Sequence, residues 1–194
     1  FCDSSRNGTT TATEIWMMAT TALARRALRA ARPALRASVR GIHVEKRLEE
    51  LGYKLPTPPK SQANYVQCNQ VGNIVYLAGH LPVPVNGEIV RGVVGKDLDI
   101  KEAQHAAHLC ALNLISTLKA YLGDLDQVKK IVKVVGFVSS TGDFTEHHLV
   151  VNGFSDTMGE VFEEKGRHAR SAVGHHVLPL NVPVEIEAIV EIEN

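Results

Sequence analysis

The chain has 194 residues, 44% of them hydrophobic, and its 21 Lys+Arg are balanced by 21 Asp+Glu. The length allows one domain of ordinary size with an appendage. The balance is uneven, because seven basic but only two acidic residues precede His43, leaving fourteen cations against nineteen anions and a net −5 beyond it. A mildly acidic domain argues against a broad nucleic-acid footprint, which needs clustered excess Lys and Arg. No run reaches the roughly 18 apolar residues of a membrane-spanning helix.

In chain order, residues 1–16 are a polar, Ser/Thr-rich stretch without periodicity, and the first methionines are Met17 and Met18. The segment that follows, MATTALARRALRAARPALRASVRGIH, carries six Arg, many Ala and Leu, and no acid before Glu45. An Arg-rich, acid-free, amphipathic segment has the composition of an organelle transit peptide, so residues 1–42 are expected to be a leader outside the fold, starting functionally at Met17 or Met18. A mitochondrial destination is expected, with a plastid as the second choice. A disordered basic tail or a helix lying on anionic lipid would share the composition. Residues 43–60 are expected to hold a short helix and a proline-rich connection, and residues 61–194 the main domain.

Within the main part, VEKRLEEL at 44–51 predicts a short helix closed by Gly52. Pro56, Pro58 and Pro59 then force an extended connection. Residues 65–69 and 74–78 are strand-like and flank Val71-Gly72-Asn73, a hairpin signal. Asn86-Gly87 marks a further turn. The clearest helix spans 101–122, where Ala103, Ala107, Cys110, Leu114, Leu118 and Tyr121 recur at helical spacing and Gly123 stops it. Residues 131–139 (IVKVVGFVS) predict an interior strand. A second helix is expected over much of 146–164, interrupted at Asn152-Gly153. The end predicts two strands, 169–175 and 184–192, forming a closing hairpin. In the last strand Val184, Ile186, Ala188, Val190 and Ile192 share one face and Glu185, Glu187 and Glu191 the other. The pattern implies an α+β fold, a mixed sheet with two long helices packed on one face. The uncovered face favours a closed symmetric oligomer.

Strong catalytic motifs are absent: no phosphate-binding loop, dinucleotide fingerprint, HExxH or GxSxG occurs. Nine His do not form a ligand pattern, so no metal site is expected. Cys2, Cys68 and Cys110 form no CxxC pair, and the last two are expected as reduced, largely buried thiols. The informative segment is HARSAVGHHVLPLNVPVEIEAIVEI. Arginine is costly to place in a sheet unless paired, so Arg170 either offers its planar fork to a carboxylate ligand or forms an internal ion pair with Glu185 or Glu187.

ARS followed by VEIEAI resembles the C-terminal signature of the RidA (YjgF) family, and ANYVQCNQVGNIVYLAGHLPV resembles its N-terminal signature. LGDLDQVKKIVKVVGFV is similar to the family's middle strand, and the whole match is collinear. The nearest branch is the YjgF/chorismate-mutase-like, "endoribonuclease L-PSP-like" group. The resemblance implies a chorismate-mutase-like fold and a homotrimer with three sites in the clefts between subunits. It implies hydrolysis of 2-imino or enamino acids, released by pyridoxal-phosphate enzymes, to 2-keto acids and ammonia, with no cofactor. Carried over by position, Arg170 would bind the substrate carboxylate and Glu185 would hold or activate water. Tyr65 would wall the pocket, Gly79 and Ala172 would offer backbone contacts, and Asn152 would line it, while His80 is either a pocket-lining base or a strand-end His. Three positions depart from the deaminase pattern: Ala172 replaces the usual Cys, Ala78 a common Ser, and His80 a Gln. A non-catalytic small-molecule-binding trimer and, against the acidic charge, an endoribonuclease are the alternatives.

Overall fold

The computed structural model describes residues 43–193; the leader expected at 1–42 lies outside them. Helix α1, Val44–Glu50, buries Val44 and Leu48, and the Asp126 carboxylate accepts from the Val44 N–H at 2.8 Å, placing negative charge at the helix N-terminus. Gly52 ends it at φ +71°, in the left-handed region that glycine adopts without steric cost.

Strands β1, Cys68–Val71, and β2, Ile74–His80, form the expected hairpin around Gly72. β1 starts at Cys68 rather than at 65, and β2 carries an irregularity between Leu77 and His80, where its ladder to the final strand shifts register. Helix α2, Ile100–Leu122, opens on a capping box: Glu102 N–H donates to Asp99 Oδ1 at 2.8 Å, and Asp99 N–H donates to Glu102 Oε2 at 2.9 Å. Ala103, Ala107, Cys110, Leu114 and Leu118 are buried as the spacing predicts. Tyr121 is exposed instead, its hydroxyl donating to Gln70 at the helix end.

Strand β3, Val128–Ser139, leads through one helical turn, α3 (His147–Val150), into α4 (Asn152–Phe162). The second long helix is therefore split at Val151, one residue before the expected Asn152-Gly153 interruption. Strands β4, Ala169–His175, and β5, Val184–Ile192, occupy the predicted residues but do not form a hairpin. The sheet order is β1-β2-β5-β3-β4, with β4 parallel to β3 and β5 antiparallel to both β2 and β3. The helical crossover between β3 and β4 makes that pair parallel and puts β4 on the outer edge. β5 then takes the remaining inner edge of β3, so β3 separates the two final strands.

Alternation along β5 buries Val184, Ile186, Ala188, Val190 and Ile192 under the helices and leaves Glu185, Glu187 and Glu191 on the other face. Among the described residues no helix covers that second face, which exposes Tyr76 and Val173. The helix layer closes most tightly where α4 meets α2. A Cβ at Gly153 would overlap the Gln104 carbonyl oxygen, and nearby Gln104 Nε2 donates to the Leu149 carbonyl at 2.9 Å.

Gly153→Ala is expected to lower stability by roughly 1–3 kcal/mol, the range for overpacking a tight contact. Gly159→Ala, in the same helix but with open space at the Cβ position, should raise it by roughly 0.5–1 kcal/mol. Urea denaturation of the two variants compares them directly; a Gly153→Ala protein as stable as the parent would show that the helix approach is slack.

Candidate functional site

The expected site residues fall into two groups, one around a cavity at the end of β2 and one built on β4. The first group surrounds a cavity of about 480 Å³ bordered by Tyr65, Gln67, Gly79, His80 and Glu185, with Lys60 from the proline-rich connection and Leu180 from the β4–β5 loop. The irregular end of β2 creates its floor. There Gly79 runs beneath the Glu185 side chain so closely that a Cβ would overlap Glu185 Oε1. Glu185 stands beside Phe137 in the β3–β5 register, on the face without helices. Burial, and then the charge of Glu187, raise its carboxyl above the ordinary range, while His175 pulls the other way. A carboxyl raised in this way holds its proton more readily than an exposed one.

His80, expected to line the pocket, borders the cavity, but its ring is engaged within the fold. Its side of the strand faces the helices, it is 1% exposed, and both ring nitrogens are engaged. Nδ1 lies 2.7 Å from the Ala78 carbonyl and Nε2 lies 2.8 Å from the Thr117 hydroxyl. A carbonyl can only accept, so Nδ1 carries the proton and Nε2 accepts from Thr117. Burial pushes the imidazole down to about 4, against the Ala78 hydrogen bond that favours its charged form. The ring is neutral at pH 7 and ties β2 to α2.

The second group is built on β4. Arg170 is in register with Val134, and Val134 with the buried Ala188, which puts Arg170 on the helix-bearing face. Its Nη1 donates to Ser155 Oγ at 2.9 Å, and its Nη2 donates to Asn152 Oδ1 and to the His148 carbonyl, both at 2.7 Å. All three acceptors are neutral, and among the described residues no salt bridge involves Arg170. The internal ion pair with Glu185 or Glu187 is thereby excluded within one chain, since both glutamates point to the other face. Two of the five guanidinium N–H donors remain unused by these bonds. Ala172, two residues on, faces the same side and packs partly against the core.

Two members of this group were not singled out in the sequence. Ser155 lies one turn beyond Asn152, on the same side of α4. His168 Nδ1 lies 2.6 Å from the Gly166 carbonyl, so its Nε2 accepts from the Ser155 hydroxyl at 3.0 Å, which turns the serine oxygen toward Arg170. Burial, and then the Arg170 charge, hold the His168 imidazole below its usual value, against the Gly166 hydrogen bond. Among the described residues one acidic trio, Glu45, Asp124 and Asp126, has ligand-like spacing. Its carboxylates are used locally: Glu45 pairs with Lys119, Asp126 caps α1, and Asp124 accepts from the Asp126 N–H.

Residues 45–192 match the family described as "YjgF/chorismate mutase-like, putative endoribonuclease", and the chain belongs to this YjgF/RidA family. Protein TCP17 of Trypanosoma cruzi is 44% identical over 152 residues, covering 78% of this chain and 95% of that protein. The solved structure of Atu1372 from Agrobacterium tumefaciens, described as of unknown function, is 47% identical with a TM-score of 0.72 and covers 78% of this chain and 94% of that one. A protein of Dermatophagoides farinae named 2-iminobutanoate/2-iminopropanoate deaminase is 36% identical over 139 residues, covering 71% of this chain and 93% of its own length.

The buried His80 generates a pH dependence. Its folded value is about 4 and its unfolded value about 6.5, so between these limits the unfolded chain binds more protons. Stability is complete above about 6.5 and is lost as pH falls toward 4, by on the order of 3 kcal/mol from this group. Urea midpoints at pH 7 and 4.5 should therefore drop more steeply for the parent than for His80→Gln; equal drops would show that His80 is not held neutral.

Proposed function

We propose that the protein hydrolyses 2-imino and enamino acids to 2-keto acids and ammonia, in clefts between the subunits of a homotrimer. Arg170 of one subunit would anchor the substrate carboxylate against Tyr65, Gly79 and Glu185 of its neighbour. The observation that carries the proposal is the state of Arg170, a partly buried guanidinium held by Ser155, Asn152 and a backbone carbonyl, with no carboxylate paired to it among the described residues. Three neutral bonds fix its direction and leave donors for a planar carboxylate. The deaminase named among the relatives supports the choice of reaction.

The chemistry asks little of the protein. An enamine takes a proton from solvent on its β-carbon to give the protonated imine, and water adds to the imine carbon as one of its protons passes to the Glu185 carboxylate, leaving a neutral aminoalcohol. Glu185 returns that proton to the amino nitrogen and takes the hydroxyl proton as the C–N bond breaks, so that ammonia leaves, the carbonyl forms and the last proton passes to solvent. Holding water, carboxyl and imine carbon together supplies most of the acceleration. The Ala172 replacement is compatible with this scheme, because a backbone contact at that position does not depend on the side chain. A ribonuclease has less support, since the chain beyond His43 carries net −5. A mitochondrial location belongs to the same proposal and rests on the Arg-rich segment at 17–42. Fused to a reporter, that segment should deliver it to mitochondria; a cytosolic or plastid reporter would overturn the assignment.

The reaction is tested by generating 2-aminoacrylate with a pyridoxal-phosphate dehydratase and following keto-acid release above the spontaneous rate. Arg170→Ala should lower kcat/KM roughly ten- to a hundredfold, as expected for losing charge-assisted hydrogen bonds. Gly79→Ala should push the Glu185 carboxylate aside and lower kcat with little change in melting temperature, because the clash falls on the end of a flexible side chain. Release that is the same with and without the protein, or unaltered by Arg170→Ala, would sink the proposal.

A further inference from the structure

The cradle of Arg170 ends in a group that can change charge. Arg170 Nη1 donates to Ser155 Oγ at 2.9 Å, and His168 Nε2 lies 3.0 Å from the same oxygen, so one serine hydroxyl stands between a guanidinium and an imidazole. The bond from His168 Nδ1 to the Gly166 carbonyl fixes the ring and leaves Nε2 as the position a second proton would take. Ring and guanidinium border one open depression with Ser155, from which solvent can supply that proton. The serine oxygen has two lone pairs, so it can accept from Arg170 and from a protonated Nε2 together, its own proton turning one helical turn back. The other charged groups around the ring leave this pair alone. Arg167 borders the same depression but pairs with Glu164, and Lys165 turns away to the Val128 carbonyl. From α4 the ring meets Ser155 and the Phe154 ring, while Asp156, Glu160 and Glu163 line a neighbouring depression that does not include His168. α3 presents the His148 carbonyl to Arg170, and Lys133 of β3 goes to Ser171.

Resting on the reading that Arg170 anchors a substrate carboxylate, we infer that His168 is a proton-linked positioning residue: when a carboxylate settles on Arg170, His168 takes up a proton from solvent at Nε2, and it returns the proton when the product leaves. Burial, and then the Arg170 charge, hold the free ring below its usual value, against the Gly166 hydrogen bond. An anion on Arg170 cancels the second of these causes. By reciprocity, a protonated His168 tightens the carboxylate by the same factor. Because the liganded ring takes its proton at higher pH than the free ring, affinity rises as pH falls through that interval and levels off below it. The effect falls on binding, since Glu185 handles the protons of the reaction itself.

Calorimetry of 2-oxobutanoate binding to the full-length protein, in two buffers of different ionisation enthalpy at about pH 6, reads the protons taken up with the ligand. The parent should take up a fraction of a proton that His168→Gln does not, because the glutamine offers Ser155 an acceptor that cannot be protonated. Comparing the two proteins cancels the share of Glu185, which titrates in both. Between about pH 8 and pH 5.5 the parent's affinity should rise about five- to tenfold more than the variant's, the lower end of coupling between sites. In turnover the same difference should appear in KM and not in kcat. The His168 ring resonances of the parent, followed by NMR, should titrate at higher pH with 2-oxobutanoate than without it, a measurement that needs no variant. Equal proton uptake in parent and His168→Gln, or an unmoved His168 titration, overturns the linkage and leaves Arg170 as the anchor. No binding of 2-oxobutanoate by the parent, or equally tight binding by Arg170→Ala, overturns the anchor and the linkage with it. Linked binding without imine turnover leaves the linkage standing and removes the deaminase function.

Discussion

The close passage of α4 over α2 governs the placement of nearly everything on the helix-bearing face. Gly153 has no side chain, so α4 can rest on the backbone of α2 at Gln104. The chain enters that contact from Val151, whose side chain fills the space above Gly136 of β3. Two side chains of α4, Asn152 and Ser155, are thereby carried to the neighbouring edge strand, where they meet Arg170. A packing requirement in the core and the polar cradle of Arg170 are consequences of the same helix position. Displacing α4 to admit a Cβ would disturb both.

The electrostatics of the two groups are complementary but kept apart. Arg170 has neutral partners only, and Glu185 is pushed toward its protonated form by burial and by Glu187. Were the two to meet in one chain they would neutralise each other as a buried ion pair, a state of low net benefit that would leave no charge for a ligand. The sheet prevents this by placing them on opposite faces, two strands apart. His168 contributes in the same direction. By keeping its Nε2 an acceptor, it directs the Ser155 oxygen at Arg170 and supplies a neutral partner where a carboxylate would have quenched the charge.

Much of the fold was legible because its signals are local. Alternation in residues 184–192, the capping pair Asp99 and Glu102, and the glycine stops at Gly52 and Gly123 each depend on a few neighbouring residues. The order of the last strands was not legible, since a closing hairpin and a β3 insertion share the same alternation, and only the crossover decides between them. His80 shows the same limit at the site. Its position at a strand end suits a ligand contact, but the side of the strand it occupies depends on the irregularity between Leu77 and His80. That irregularity has no sequence mark beyond Gly79. The hydrogen-bonded chain through Ser155 was partly visible, because Asn152 and Ser155 are one helical turn apart.

The proline-rich connection links the fold to the cavity wall. Just before β1 the Gln67 carbonyl accepts from the Ala78 N–H of β2 at 3.0 Å, and the connection further back is held as well: the Ser116 hydroxyl donates to the Pro56 carbonyl at 2.6 Å, and Tyr53 donates to Glu160 at 2.5 Å. Pro56, Pro58 and Pro59 restrict the intervening backbone at little further entropic cost, because proline has few conformations to lose. The wall carrying Pro59 and Lys60 is therefore presented by anchored chain rather than by a loose loop. Substitutions there would change the shape of the cavity without touching Arg170, Glu185 or the helix contact at Gly153. The shape of the cavity can thus vary independently of Arg170 and Glu185.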